Sequence, residues 1–166
     1  MTPEQDLLFL EEAIREARLA GSEGEVPIGA VIVSAEGEIL ARGRNAMEHL
    51  QDATAHAEMF ALREAARRLD SWRLDGCTLY ASLEPCPMCA GAILGSRVAR
   101  VVFGAYDRRL GACGTHWNIP GENPIHRQVE VLGGLRQEEC VGLLRDFFRE
   151  LRQGIRPTSK ARRMPE

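Results

Sequence analysis

Two short segments constrain this chain more than any other feature. One is His56-Ala57-Glu58 and the other, beginning some thirty positions on, is Pro85-Cys86-Pro87-Met88-Cys89. Together they supply three zinc-type ligands, His56, Cys86 and Cys89, and one carboxylate, Glu58, that the metal does not need. A structural zinc site is closed by four protein ligands, whereas a catalytic site keeps one position for water. Three ligands with a spare acid therefore point to metal-assisted hydrolysis. Any fold for this chain must bring both segments to one point. Cys86 and Cys89 are three apart, so one helical face presents both. His56 and Glu58 are two apart and would diverge in mid-helix. They converge only if a helix begins near Ala55 and aims its first turn at the metal. Helix N-termini also favour thiolate over thiol.

The strongest rival for Cys86-Pro87-Met88-Cys89 is a redox dithiol. Such a dithiol lacks the upstream His-x-Glu and the proline before the first cysteine, so zinc is the stronger reading. Five cysteines is an odd number, and in a reducing compartment a CxxC favours metal over a disulfide framework. Cys77 and Cys140 fall at core-like positions, and Cys113 is left without a role. His49, His116 and His126 have no ligand spacing. Trp72 is expected to plug the end of the helix before it. Trp117 either lines a binding surface, where it could stack on a base, or simply packs.

A length of 166 residues suits one domain, and 45% hydrophobic residues is ordinary for a globular protein. We expect a single domain over 1–153 and a basic tail over 154–166. No apolar run reaches the ~18 residues that span a bilayer, and the acidic start lacks the basic region of a secretory signal. The expected location is cytoplasmic, with no membrane partner. The net charge of −3 hides an asymmetry, since Arg149, Arg152, Arg156, Lys160, Arg162 and Arg163 crowd the last eighteen positions. With Arg145, the first three of these would share a helix face. That face could meet nucleic acid or merely be solvated.

Thr2-Pro3-Glu4-Gln5 reads as a capping box. Leu7, Leu10, Ile14 and Ala17 follow at helical spacing, and Gly21 is the expected stop. Val26 to Val33 and Glu38 to Gly43 read as a hairpin turning at Glu36-Gly37. From Ala55 to Leu69 the pattern is helical, with Met59, Leu62, Ala66 and Leu69 on one face. Cys77 to Leu83, Val98 to Phe103 and Val129 to Leu132 read as strands, and Pro87 to Leu94 as a short helix. Arg136 to Leu151 is a closing helix, with Cys140, Leu143, Leu144, Phe147 and Leu151 inward. Residues 105–127 lack periodicity, and so long an irregular stretch is usually functional or mobile. The alternation predicts a three-layer α/β/α domain with a mixed sheet.

These segments resemble the bacterial tRNA-specific adenosine deaminases, within the cytidine-deaminase-like superfamily. The resemblance covers nearly the whole chain. It is carried by Glu25-Val26-Pro27-Ile28-Gly29-Ala30-Val31, Arg44-Asn45, Thr54-Ala55-His56-Ala57-Glu58 and Leu83-Glu84-Pro85-Cys86-Pro87-Met88-Cys89-Ala90-Gly91-Ala92. More specific to the tRNA branch are Val101-Val102-Phe103-Gly104-Ala105-Tyr106-Asp107, Gly111-Ala112-Cys113-Gly114 and the closing helix from Glu139-Cys140 to Asp146-Phe147-Phe148. Ile125-His126-Arg127-Gln128 and Thr115 depart from the family pattern.

The resemblance implies a cytidine-deaminase-like fold with a five-stranded mixed sheet. It implies one Zn2+ per subunit on His56, Cys86 and Cys89, with Glu58 shuttling protons. Asn45 would hydrogen-bond the flipped nucleotide, Val26 would form pocket wall, and Asp107 would sit beside the substrate sugar. The implied reaction is adenosine to inosine at the wobble position of a tRNA, with tRNA-Arg the expected substrate and a homodimer the expected assembly. Ordinary turn chemistry is the rival reading for Asn45 and Asp107. Two other functions stand beside this one. One is a deaminase of a free base such as guanine, with the same zinc motifs and no polynucleotide surface. The other is a non-catalytic zinc-stabilised RNA-binding module, which would have no use for Glu58.

Overall fold

The computed structural model describes residues 1–123 and 128–155. The Ile125-His126-Arg127 departure and most of the basic tail lie outside the described residues. Five strands form one sheet in the order β2-β1-β3-β4-β5. They are β1 (Gly29–Val33), β2 (Ile39–Arg44), β3 (Thr78–Leu83), β4 (Arg100–Ala105) and β5 (Glu130–Leu132). β1 runs antiparallel to β2 and β3, while β3, β4 and β5 run parallel, so the sheet is mixed as expected. The helices are α1 (Pro3–Ser22), α2 (Met47–Leu50), α3 (Ala57–Arg68), α4 (Pro87–Gly95) and α5 (Gln137–Arg152).

Alternation along the strands builds a core on each face of the sheet. Ala30, Ile32, Leu79, Ala81, Val101 and Phe103 point to one face and pack with residues of α3 and α4. Val31, Val33, Tyr80 and Val102 point to the other and meet Leu10, Ala13 and Ile14 of α1 and Cys140 of α5. That is the three-layer arrangement. Because both faces are covered, β1 is buried at every position, which explains its unbroken apolar run.

Several details differ from the sequence reading. β1 starts at Gly29 rather than Val26, because Pro27 has no N–H to give a ladder. Gly21 lies inside α1, which continues to Ser22 and is capped by Glu23. The capping box at Thr2 and Gln5 is present. On α3 the inward face is Ala57, Glu58, Ala61, Leu62 and Ala65, so the expected stripe is rotated and Leu69 is 42% exposed. Small side chains let α3 lie close to the sheet, and alanine carries little apolar signal. On α5 only Cys140 and Phe147 are buried, with Leu143, Leu144 and Leu151 half-buried at its margins. Trp72 plugs nothing: it is 61% exposed, with the Arg97 guanidinium 5.4 Å from its ring centroid. The four-residue helix α2 has no counterpart in the sequence reading.

Candidate active site

Every segment named for the site reaches one end of the sheet. β1 is antiparallel to β3, so the start of β1 lies beside the end of β3, and Gly29 N–H donates to Ser82 Oγ at 3.1 Å. β2 ends there too, with Arg44 opposite Gly29. Asn45 N–H donates to Ile28 O at 3.0 Å, and Ala46 N–H to Ala55 O at 3.1 Å. Those two bonds set the Val26–Ile28 arm, Asn45 and the approach to His56 side by side. The parallel strand β4 ends nearby at Ala105, which leads into Asp107. In such sheets, loops at one end of the strands gather the chemistry.

His56 is the N-cap of α3 and Cys86 the N-cap of α4, with Pro87 in the first turn. Both caps have extended backbone, so their side chains swing away from the helices and toward each other. The inferred start of α3 near Ala55 is therefore two residues early, but its reason holds. His56 Nδ1 lies 3.6 Å from Cys86 Sγ and 3.5 Å from Cys89 Sγ. Zinc bonds of about 2.3 Å to sulfur and 2.0–2.1 Å to nitrogen, meeting at a tetrahedral angle, separate the two atoms by about 3.5 Å. The spacing thus fits a shared zinc ion. Among the described residues, these three alone form a group able to hold a metal. His56, Cys86 and Cys89 are positioned to bind zinc, and Nδ1 is the histidine nitrogen that faces the thiols.

The electrostatics suit that ion. Hydrogen bonding from Cys89, opposed by burial and helped by His56, brings the Cys86 thiol down to about 4. The same pairing with Cys86, together with burial, pushes Cys89 well up. Metal ligation takes both sulfurs as thiolates, so binding the ion releases protons. His56 is raised, chiefly by its hydrogen bond to Cys86. Glu58, at the second position of α3, is 3% exposed, and burial pushes its carboxyl up. Among the described residues, its buried Oε2 has no hydrogen-bond partner. A buried carboxyl with a free oxygen beside three metal ligands has what proton transfer needs: a raised pKa and an open acceptor.

Val26 and Asn45 lie on the segments before β1 and after β2, and Asp107 on the one after β4. Asn45 is buried and follows β2 directly, while Val26 is half-buried on the arm before β1. Asp107 is half-buried, and its Oδ1 accepts the Arg109 N–H at 2.8 Å. That is the turn chemistry weighed against a substrate role. Cys77 and Cys140 are buried in the core, and Cys113 joins them. Trp117 is half-exposed and meets His116 edge to face. Arg145 and Arg149 of the basic face share Asp146 as ion-pair partner.

The sequence reading gave no role to Glu84 and Glu25, which are both 1% exposed. Glu25 carboxylate oxygens accept the Glu48 and His49 N–H groups at 3.1 and 2.6 Å and so hold α2 in place. Glu84 gathers the chain after β4 onto the zinc segment. The available signal was an acid directly after the buried run of β3, where a charge needs several donors.

Known proteins agree with this geometry. Residues 3–105 match the family model for the cytidine and deoxycytidylate deaminase zinc-binding region. The chain is 54% identical over 149 residues to a tRNA-specific adenosine deaminase of Bacillus subtilis, covering 90% of this chain and 92% of that one. It is 46% identical to the tRNA-specific adenosine deaminase of Aquifex aeolicus, over 89% of this chain and 96% of that one. Its structure is similar to one from work on A-to-I editing by tRNA:A34 deaminases at the wobble position, with a TM-score of 0.77 and 42% identity over 82% of this chain and 98% of that one. It is also similar to a guanine deaminase from Nitrosomonas europaea, with a TM-score of 0.72 and 27% identity over 88% and 84% of the two chains. With the ligand set, the sheet order and these matches together, the chain belongs to the cytidine and deoxycytidylate deaminase zinc-binding family.

Proposed function

We propose that this protein is a zinc-dependent deaminase that converts adenosine to inosine at the wobble position of tRNA and releases ammonia. The observation that carries the chemistry is the unpartnered, buried Oε2 of Glu58 next to His56, Cys86 and Cys89. A non-catalytic zinc module would have no reason to bury an acid there without a partner. The tRNA substrate is supported by relatives at 38–54% identity over about 90% of the chain, named as tRNA-specific adenosine deaminases. The guanine deaminase reading has weaker support. The Bacillus subtilis guanine deaminase structure reaches 43% identity but covers only 64% of this chain, with a TM-score of 0.59.

His56, Cys86 and Cys89 hold the zinc, which when bound polarises water and lowers its pKa towards ~7. Glu58 accepts the proton of the attacking water through its free oxygen. It delivers that proton to the ring nitrogen beside the amino-bearing carbon, which makes the carbon electrophilic. A carbon–oxygen bond forms there. Glu58 then takes the remaining proton from the new hydroxyl and passes it to the amine, the carbon–nitrogen bond breaks, a carbonyl forms, and ammonia leaves. One carboxyl serves both transfers because each cycle returns it to its starting state. The base must leave its stack, at a cost of roughly a few kcal/mol, and an anticodon loop keeps that cost low. Asn45 hydrogen-bonds the extruded nucleotide, Val26 forms part of the pocket wall, and Asp107 lies beside the sugar. The protein acts in the cytoplasm as a homodimer with one zinc per subunit, and tRNA-Arg is its substrate.

The test is inosine formation in a tRNA-Arg transcript carrying adenosine at the first anticodon position, with free adenosine and guanine alongside. Inosine at that position alone supports the proposal. Turnover of a free base with none on the transcript would sink the tRNA assignment and leave the zinc chemistry intact.

A further inference from the structure

The stretch after β4 looked irregular in sequence, yet between residues 107 and 115 it is wrapped around one carboxylate. Glu84 Oε1 accepts the backbone N–H groups of Cys113 and Thr115, both at 3.0 Å. Glu84 Oε2 accepts the Asp107 N–H at 3.0 Å and the Thr115 hydroxyl. Four donors thus converge on a side chain that is 1% exposed. The fit leaves no room at Gly111, where a Cβ would meet the Glu84 Cδ at 2.5 Å and Asp107 O at 2.6 Å. Glu84 precedes Pro85 and the ligand Cys86, and Pro85 O accepts the Ala112 N–H at 2.9 Å. The loop is therefore hydrogen-bonded to the zinc segment itself, while Ala112 and Cys113 pack in the core beneath it.

We propose that Glu84 is a positioning residue for the polynucleotide. It registers the 107–115 loop against the metal ligands, so that a substrate strand lying on the loop has its target base at the zinc. This inference rests on the polynucleotide substrate proposed above. With its backbone drawn inward, the loop turns Arg108, Arg109 and Leu110 outward, and His116 and Trp117 just beyond it are exposed as well. Two arginines and a tryptophan are among the side chains that phosphates and unstacked bases use. Nothing on the loop needs to enter the chemistry. Its contribution is orientation, which a strap at one point supplies and which a misplacement of about 1 Å would forfeit.

The test compares the wild type with Glu84→Gln and Thr115→Val. In Glu84→Gln an amide N–H2 replaces one acceptor, so at least one of the donors on that side loses its partner. Three quantities are read: zinc per chain, hydrogen exchange at the Asp107, Cys113 and Thr115 amides, and kcat and KM on an anticodon stem-loop. We expect zinc content unchanged, amide protection lost, KM raised about tenfold or more, and kcat lowered with it as the target base loses its placement at the zinc. Thr115→Val removes only the hydroxyl donor and should raise KM about threefold in the same direction. That variant decides the matter if Glu84→Gln fails to fold. Amides that keep their protection, or a KM that stays put while protection is lost, overturn the proposal. So does loss of zinc, which would make Glu84 a support of the metal segment alone. A fall in melting temperature with an unchanged KM is the signature of a purely structural role and also overturns it. Amide exchange is read without substrate, so a wild type inactive on the stem-loop would sink the tRNA reading separately.

Discussion

Gly43 on β2 lies directly against the carbonyl oxygen of Ala57, the first residue of α3. A Cβ at Gly43 would overlap that oxygen and stand 2.8 Å from the Ala61 nitrogen. Both contacts are backbone, so a side chain cannot be accommodated by a rotamer change. The first turn of α3 would have to move, and it carries His56 and Glu58. Gly43→Ala should lower zinc content and activity together, and destabilise by about 1–3 kcal/mol through overpacking. Metal analysis with thermal unfolding checks this, and full zinc with full activity would refute it.

Glu58→Gln should keep zinc and lose turnover by about 10²–10⁴-fold. The substitution keeps the shape and removes the proton carrier. His56, Cys86 and Cys89 are untouched, so zinc per chain should stay at the wild-type level. Zinc loss in this variant would make Glu58 a ligand and overturn its assigned role.

Removing the metal should do more than stop turnover. His56 caps α3 and Cys86 caps α4, so one ion ties the starts of two helices. Chelation should abolish inosine formation and lower the melting temperature. Zinc at a thousandfold its Kd restores about 4 kcal/mol. A melting temperature indifferent to chelator would mean that the ion adds nothing to folding.

Asp6 and Arg100 tie the stability of the fold to acid pH. Arg100 Nη1 and Nη2 donate to Asp6 Oδ1 and Oδ2 at 2.6 and 2.9 Å, and the Tyr80 hydroxyl donates to Oδ1 at 2.7 Å. Burial opposes the charge on Asp6, but Arg100 and then Tyr80 outweigh it and hold the carboxyl below its usual value. A depressed folded pKa gives stability that is complete above the unfolded value of ~3.9 and is lost as pH falls through the folded one. Asp6→Asn should cost about 1.5–3 kcal/mol near pH 7. That deficit should shrink below about pH 4. Denaturant titrations at pH 7 and pH 3.5 test it, and a deficit equal at both would exclude the linkage.

Ending the chain at Leu151 removes Arg152, Arg156, Lys160, Arg162 and Arg163. The shortened protein should bind tRNA more weakly, and its affinity should depend less steeply on salt. Binding measured from 50 to 200 mM salt reads both effects. An unchanged slope would mean that these cations do not meet phosphates.

Much of the fold was legible because its signals are local. The capping box at Thr2, the apolar runs of β1, β3 and β4, and the proline-led start of α4 each report in a few residues. The metal ligands were legible because zinc chemistry admits few residue types and few spacings. The inward face of α3 was misread, since Ala57, Ala61 and Ala65 pack closely while showing little hydrophobicity. The short helix α2 was missed because its stability comes from Glu25, which lies more than twenty positions away.

The sequence by itself determined the ligand set, the spare carboxylate and the layered architecture, because each follows from residue chemistry or from periodicity along the chain. Only the tertiary structure decided which histidine nitrogen faces the thiols, that one Glu58 oxygen is buried with no partner among the described residues, and that Glu84 gathers the loop after β4. Those three facts depend on where separate segments meet and how far burial strips them of water. Neither spacing nor composition encodes that directly.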